Sequence, residues 1–549
     1  MKKIHLFISN PDTQIATIGQ NVWMISGWNV LRMKRLLLKT ARCSEVIIRR
    51  QLIEAGEDAT IIHIRLANSC VETVWAFRSI FSQSEIYYAS TANGELLICD
   101  SFRNMLSQIA VKDRAERSDS FADHLLFPYT YETPFAGINR LGKGESLQFS
   151  KKTNRIDRKV ADTFAPASGT LAVEEGIKLV DQELQAAVEE ISAGKNVVNL
   201  LSGGADSTLI HTYLPQGTPA CSAGIDSPEF RFEIDYAKNA ASLLGADQRL
   251  FMTKETEYLS NLEETVDALC FIPNTLQIPL FYLLFKQTAD VRFVCGTLAG
   301  ELLGSKTAEQ AVLAAAKHER TDVERQVYEE LMRPPDDING YALARFVVST
   351  DLQLIKQVIG KEYAEQRLRK RWQHVMKRVN WSGKADPLTK HLEAGSIIAF
   401  LCDDTLSNWR QLAYANGQTI YSPFVSSRLV QAAFSVAPQL RYAYGTATKP
   451  LIKKLLKSRL PQYDVTLPKG GSGLPRTRYC RSGPLKNIFQ QYGIPPILDK
   501  SSEWILLEPA WETSHFVTAV ATYAIWKERV ATNPDIRMLP GTRQWKWEA

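Results

Sequence analysis

The 549-residue chain is 45% apolar and 23% charged, which excludes a disordered polymer and exceeds what a single hydrophobic core covers. Sixty-five basic against fifty-nine acidic side chains leave a net charge of +6, too mild to demand nucleic acid but favourable for an anionic ligand. The most apolar stretch, Leu276 to Phe285, is about half the ~20 residues of a membrane-spanning helix, so no membrane segment is expected.

The amino-terminal "MKKIHLFISNPDTQ" starts basic but has too short an apolar run for a secretion signal. Residues 1 to about 155 read as strands, with "ATIIHIRLA", "SEIYYAST", "GELLICD" and "GESLQFSK" short, β-rich and divided by turn residues. "FAPASG" (164–169) reads as a linker. Beyond it, "LAVEEGIKLVDQELQAAVEEIS" has helical apolar spacing. Strands are expected at 197–201, 219–225 and 291–296, with helices from about Asp206 and over 232–245. Strands alternating with helices predict an α/β fold with a parallel sheet. After about Thr307 the chain reads as mainly helical to its end. The eight cysteines (43, 70, 99, 221, 270, 295, 402 and 480) form no CxxC pair and no zinc-spaced cluster, so a reducing cytoplasm is the expected location.

Chemistry concentrates in "NVVNLLSGGADSTLIHTYL" (196–214), where a buried strand stops at two glycines and an acid before a helix. Backbone N–H groups at such a turn converge on one point, and the helix dipole adds positive charge. That combination cradles an anion. Gly203 and Gly204 admit a phosphate close to the backbone, and Ser202 and Ser207 add hydroxyl donors. Asp206 suits a Mg²⁺ accompanying the phosphate. A tight turn capped by Asp206 is the plainer alternative. A Walker A pattern is absent, which excludes a P-loop NTPase.

The SGGxDS turn after a strand resembles the PP-loop of ATP pyrophosphatases, and its setting behind a β-rich domain resembles the asparagine synthetase B superfamily. "LQIPLFYLLFKQTADVRFVCGTLAGELLGS", "LCDDTLSNWRQLAYANGQTIYSPFVSSRLVQAAFSVAPQLRY" and "KPLIKKLLKSRLPQYDVTLPKGGSG" match further motifs of that family in order, over roughly 160–480. The resemblance implies a degenerate N-terminal nucleophile-type (αββα) glutaminase-like domain over 1–158. It also implies a PP-loop synthetase domain with a helical carboxyl-terminal part over 171–549. Glutamine-using members carry Cys directly after the initiator Met; here Lys2 follows, and the first cysteine is Cys43. An inactive glutaminase is therefore expected, with the nitrogen supplied by a bound amine or by ammonia. Lasso peptide cyclases and β-lactam synthetases share that absence. Thr297 stands where β-lactam synthetases carry a tyrosine base, which favours the lasso-type reading. A small-molecule ligase, or an inert scaffold of the same fold, remains open.

What the resemblance implies is closure of a ring in a ribosomal peptide. ATP and Mg²⁺ activate a carboxylate as its adenylate, and a leader peptidase is a candidate partner. Ser202, Gly203, Gly204, Asp206, Ser207, Ala223, Gly224 and Gly296 would hold nucleotide, and Lys469 would stabilise the reacting species. Gly470, Gly471 and Gly473 make its loop pliant. The family's second metal-binding Asp aligns with Gly300, so Glu301 either takes the metal or caps the following helix. Glu233 is either a ribose-side acid or a surface residue. Lys449, Lys453 and Lys454 read as a solvated face over buried leucines. The basic run 361–384 reads likewise as a solvated helix face, with a peptide or protein contact as the second reading. Eleven tryptophans read as core and interface anchors.

Overall fold

Period-two alternation in the first 160 residues builds two sheets. The computed structural model describes residues 3–55, 58–127, 132–167, 169–273, 275–304, 352–380, 397, 401, 404–442, 448–467, 474–496, 498, 505–506, 509–510 and 513–549. Strands β1 (Lys3–Ile8), β2 (Gln14–Ile18), β3 (Asn21–Ser26), β4 (Thr60–Ala67) and β5 (Cys70–Arg78) lead the chain. Then come β6 (Tyr87–Ser90), β7 (Glu95–Cys99), β8 (Ile138–Arg140), β9 (Glu145–Ser150) and β10 (Arg155–Val160). One sheet runs β10-β9-β5-β4-β3-β2, antiparallel throughout. Alternate residues of β1, β4, β5, β7 and β9, such as Leu6, Ile64, Val74, Ile98 and Phe149, fill the space between this sheet and its partner. Helices α1 (Val30–Lys39) and α2 (Glu45–Glu54) cover the outer face of the larger sheet through Met33, Leu37, Ile48 and Leu52. Helices α3 (Phe102–Ser107) and α4 (Ser120–Leu126) pack on the other side.

The second sheet has order β16-β1-β7-β6-β8, and β16 is Arg543–Glu548 at the far end of the chain. It pairs antiparallel with β1, from Lys3↔Glu548 to Ile8↔Arg543. The expected division assigns 543–548 to the second domain and the tail to helix; here 543–548 form a strand in the sheet of β1, β7, β6 and β8. Its alternation, Arg-Gln-Trp-Lys-Trp-Glu, puts Trp545 and Trp547 against the core between the sheets.

After α5 (Val173–Ser192) the period changes and a third sheet forms, parallel throughout. Its strands are β11 (Val197–Leu200), β12 (Ala220–Asp226), β13 (Gln248–Lys254), β14 (Arg292–Val294) and β15 (Thr419–Tyr421), in order β13-β12-β11-β14-β15. Strand β11 is buried throughout, as a sheet covered on both faces requires. The connecting helices are α6 (Ala205–His211), α7 (Arg231–Leu244), α8 (Tyr258–Leu269), α9 (Ile278–Lys286) and α10 (Ala299–Leu303). Later in the chain come α11 (Lys361–Met376), α12 (Asp404–Ala415), α13 (Ser427–Ser435), α14 (Pro450–Arg459) and α15 (Ser514–Trp526). The fold is thus α/β with a parallel sheet. Strands β13 and β15 lie in stretches where no strand is expected, and β15 interrupts the region read as helical.

Buried charge joins the two halves. Glu85 has no exposure and meets Arg140 Nε at 2.6 Å, Arg78 at 3.1 Å and, 325 residues further along the chain, Arg410 of α12 at 3.0 Å. Ser407 Oγ donates to the same carboxylate at 2.9 Å. Burial alone would raise the pKa, but Arg140, Arg78 and Arg410 outweigh it and hold the carboxyl well below its ordinary 4.5. The expected solvated face of the basic run is also corrected: Arg367 and Arg371 of α11, and Arg378 just beyond it, are buried. Arg367 binds Asp123 at 2.6 Å and Glu132 at 2.9 Å, and also reaches Asp119, all in the first domain. Those acids lie more than two hundred residues upstream, so local charge counting misses them. The expected linker is pinned too, because Phe164 bridges Val379 and Gly169 N donates to Phe434 O at 3.1 Å.

Glu85→Ala removes the carboxylate that three buried arginines share and is expected to destabilise the protein by about 3–5 kcal/mol, read from urea unfolding. Because the folded pKa is depressed, Glu85's contribution is present above about pH 4.5 and fades as pH falls toward the folded value. The wild-type advantage over Glu85→Gln should therefore shrink on acidification below pH 4.5.

Candidate functional site

Strand order makes the site. The chain leaves β11 toward β12 on one side, while β14 lies on the other side of β11. Connections diverging from neighbouring strands leave a crevice beyond their carboxyl ends. The turn Ser202–Ser207 follows β11 and Gly296 follows β14, so both open into that crevice.

Crowded backbone fixes the turn. Gly203 has φ +76°, and a Cβ there would lie 2.3 Å from the carbonyl of Tyr236 in α7. Only glycine meets both conditions. Gly296 faces the turn from across the crevice; a Cβ on it would lie 2.8 Å from Asp206 Cβ and 3.1 Å from Ser207 N. The turn also holds itself. Ser202 N donates to Ser207 Oγ at 3.1 Å, the two hydroxyls lie 3.0 Å apart, and Gly204 N donates to Ser202 Oγ at 3.3 Å. Ser202 and Gly204 are nonetheless exposed, so one face of the turn is open to a ligand. Tyr463 OH donates to Gly203 O at 2.7 Å from the opposite side, and burial pushes its phenol pKa up to about 12.

Lys449 corrects the expectation of a solvated lysine face. Its Nζ donates to Asp206 Oδ2, and its side chain is 12% exposed. It sits at the N-cap of α14 with φ +52°. A cation there opposes the helix dipole, so it needs an anion from elsewhere, and Asp206 supplies one. That sign mismatch, with Pro450 marking the helix start, is the signal in the sequence that would have singled Lys449 out. Lys453 instead donates to Thr448 Oγ1 at 3.0 Å. Tyr463 carries no comparable signal.

Ala223 and Gly224 are in β12, with Ile234 and Met252 packed over Gly224. Glu301 is half-buried in the first turn of α10, which packs against α13 and α14. Glu233 is half-buried in the first turn of α7. The turn, Gly296 and Lys449 thus converge on Asp206. Lys469, Gly470, Gly471 and Gly473 lie outside the described residues.

Asp206 Oδ1 is buried without a hydrogen-bond partner, while Oδ2 serves Lys449. Mg²⁺ bound with a nucleotide takes one or two carboxylates and fills its shell with phosphate and water. One unpartnered oxygen fits that requirement. Among the described residues no group of three or more His, Cys, Asp or Glu side chains forms a cage that would hold a metal by itself. The α6 helix has only seven residues, so an anion here would rely mostly on loop amides, hydroxyls and Lys449. A groove of about 460 Å³ between Phe81, Phe164, Glu183 and Arg428 contains none of the expected site residues.

No disulfide joins the described cysteines, and no described helix is long and apolar enough to cross a membrane. A family model, described as asparagine synthase, matches residues 179–508. No curated protein matches the chain.

Gly296→Ala is expected to cost about 1–3 kcal/mol by overpacking, and Gly203→Ala more, because helix backbone cannot yield and φ is positive. Urea unfolding of both variants checks the order.

Proposed function

The chain belongs to the asparagine synthase family, whose members form amide bonds at the expense of ATP, and we propose that it activates a carboxylate as an acyl-adenylate for attack by an amine of the same molecule. The observation that carries this reading is the Ser202–Ser207 turn, open on one face and backed by the unpartnered Asp206 oxygen. A carboxylate oxygen of the substrate attacks the α-phosphorus of ATP, and the bond to the β-phosphate oxygen breaks. Pyrophosphate leaves into the turn, held by backbone N–H groups and the hydroxyls of Ser202 and Ser207. Lys449, close enough to Asp206 to share its carboxylate, turns toward the departing phosphates once they compete for its charge. Asp206, with Glu301 as a second candidate, would hold Mg²⁺, which neutralises phosphate charge when bound. Ala223, Gly224 and Gly296 line the adenosine side.

The amine then attacks the acyl carbon, AMP departs, and the amine's proton is lost. Lys469 is proposed to stabilise the tetrahedral species. Holding both ends of one peptide makes the attack local, which favours ring closure in a ribosomal, lasso-type peptide. Thr297 offers no phenolic base, which supports that substrate over a β-lactam precursor. The division into an inactive glutaminase-like part and a synthetase part belongs to the same proposal, as does a cytoplasmic location. A ligase acting on a small amino acid derivative is the alternative.

Incubation with ATP, Mg²⁺ and candidate peptides is expected to release AMP and pyrophosphate, with a peptide product lighter by one water; release of ADP would overturn the adenylate. Lys469→Ala should fold normally and lose product by a factor of about 10² or more, read by mass spectrometry.

A further inference from the structure

The wall of the crevice opposite the Ser202–Ser207 turn is the segment 296–298, and its conformation is costly. Leu298 has φ +71°, a region that non-glycine residues seldom occupy, and it is buried. Such a conformation persists only where its surroundings over-determine it. The support comes from the first domain. Ser422 Oγ donates to Thr297 O at 2.6 Å, one residue beyond the glycine that abuts Asp206. Ser422 itself follows β15, whose ladder with β14 ends as Cys295 N donates to Tyr421 O at 3.0 Å. Where the next ladder bonds of β15 would fall, a side chain takes over. Gln83 Nε2 donates to Ser422 O at 3.0 Å, and Ser422 N donates to Gln83 Oε1 at 2.8 Å. The Gln83 amide thus acts as a one-residue strand. Its own backbone N–H donates to Asp58 Oδ1 at 2.7 Å. Gln83, Ser422 and Asp58 are all fully buried, so water does not compete for these bonds.

We propose that Gln83 is a positioning residue for the nucleotide reaction, acting through Ser422 on Thr297 to hold the 296–298 wall against the phosphate-binding turn. The first domain then serves the synthetase crevice without touching substrate. This rests on the reading that the turn binds ATP.

The test is calorimetric titration of the full chain with Mg²⁺ and α,β-methylene-ATP, for wild type, Gln83→Leu, Ser422→Ala, the double variant Gln83→Leu with Ser422→Ala, and Ser422→Thr, each checked for folding by circular dichroism. Losing the buried bond to Thr297 O, together with the one Ser422 Oγ accepts from Phe424 N at 3.3 Å, is expected to weaken nucleotide affinity about fivefold to tenfold in Ser422→Ala. The same loss or more is expected in Gln83→Leu, and the double variant should be no worse than Gln83→Leu, because both act through one chain of bonds. Ser422→Thr keeps the donor and should keep the affinity. Ser422→Ala decides the matter if Gln83→Leu fails to fold. The proposal falls if folded Ser422→Ala binds as wild type does, or if Ser422→Thr loses as much as Ser422→Ala. If wild type binds no nucleotide, the ATP reading fails, and this proposal with it.

Discussion

Two strand ends packed too closely for side chains control this molecule. Where β11 and β14 finish side by side, Gly203 lies against the backbone of α7 and Gly296 against Asp206. Neither contact leaves room for a methyl group. The position of Asp206 follows, and with it one oxygen committed to Lys449 and one left without a partner. The site is therefore a product of backbone crowding first and of side-chain chemistry second. A looser crevice would allow Asp206 other rotamers and would let its carboxylate find neighbours of its own.

Polar groups between the amino-terminal sheets and the parallel sheet secure that geometry from outside. Asp12 meets Arg292 at 2.7 Å and Lys195 at 2.7 Å, tying the first domain to the segments that open β14 and β11. Glu85 grips α12, and Arg367 of α11 grips α4 and its neighbouring acids. Such pairs gain little net stability over apolar packing, because both charges lose their water. Their directional bonds do constrain how one domain sits on the other. A greasy junction of the same area could slide; one built on Glu85 with three guanidinium groups has few alternative registers.

Much of this was legible from residues near one another in sequence. The strand before Ser202, the two glycines and the helix after them were read where they occur, as were the alternating strands β4, β6, β7 and β9. What escaped depends on partners far along the chain. Strand β15 has three residues, too few to show a period, and is a strand only because β14 lies beside it. Arg367 and Arg378 look like solvent-facing charge until acids from far upstream arrive, and Arg371 until the Phe127 ring lies under it. Lys449 was hidden among lysines whose spacing suits a surface helix; only its place at the helix start distinguishes it. The contribution of Gln83 has no local signature at all, since a glutamine announces nothing until a strand edge is set against it.

The pairing of β16 with β1 has a consequence for the nascent polypeptide. One edge of β1, whose Ile4, Leu6 and Ile8 are core residues, must wait for its neighbour until more than five hundred further residues have left the ribosome. At ordinary elongation rates that delay is roughly half a minute to two minutes. Throughout it the bare edge invites pairing with any extended chain nearby. Early recruitment of chaperones to the first hundred residues would be the cell's natural answer to this arrangement.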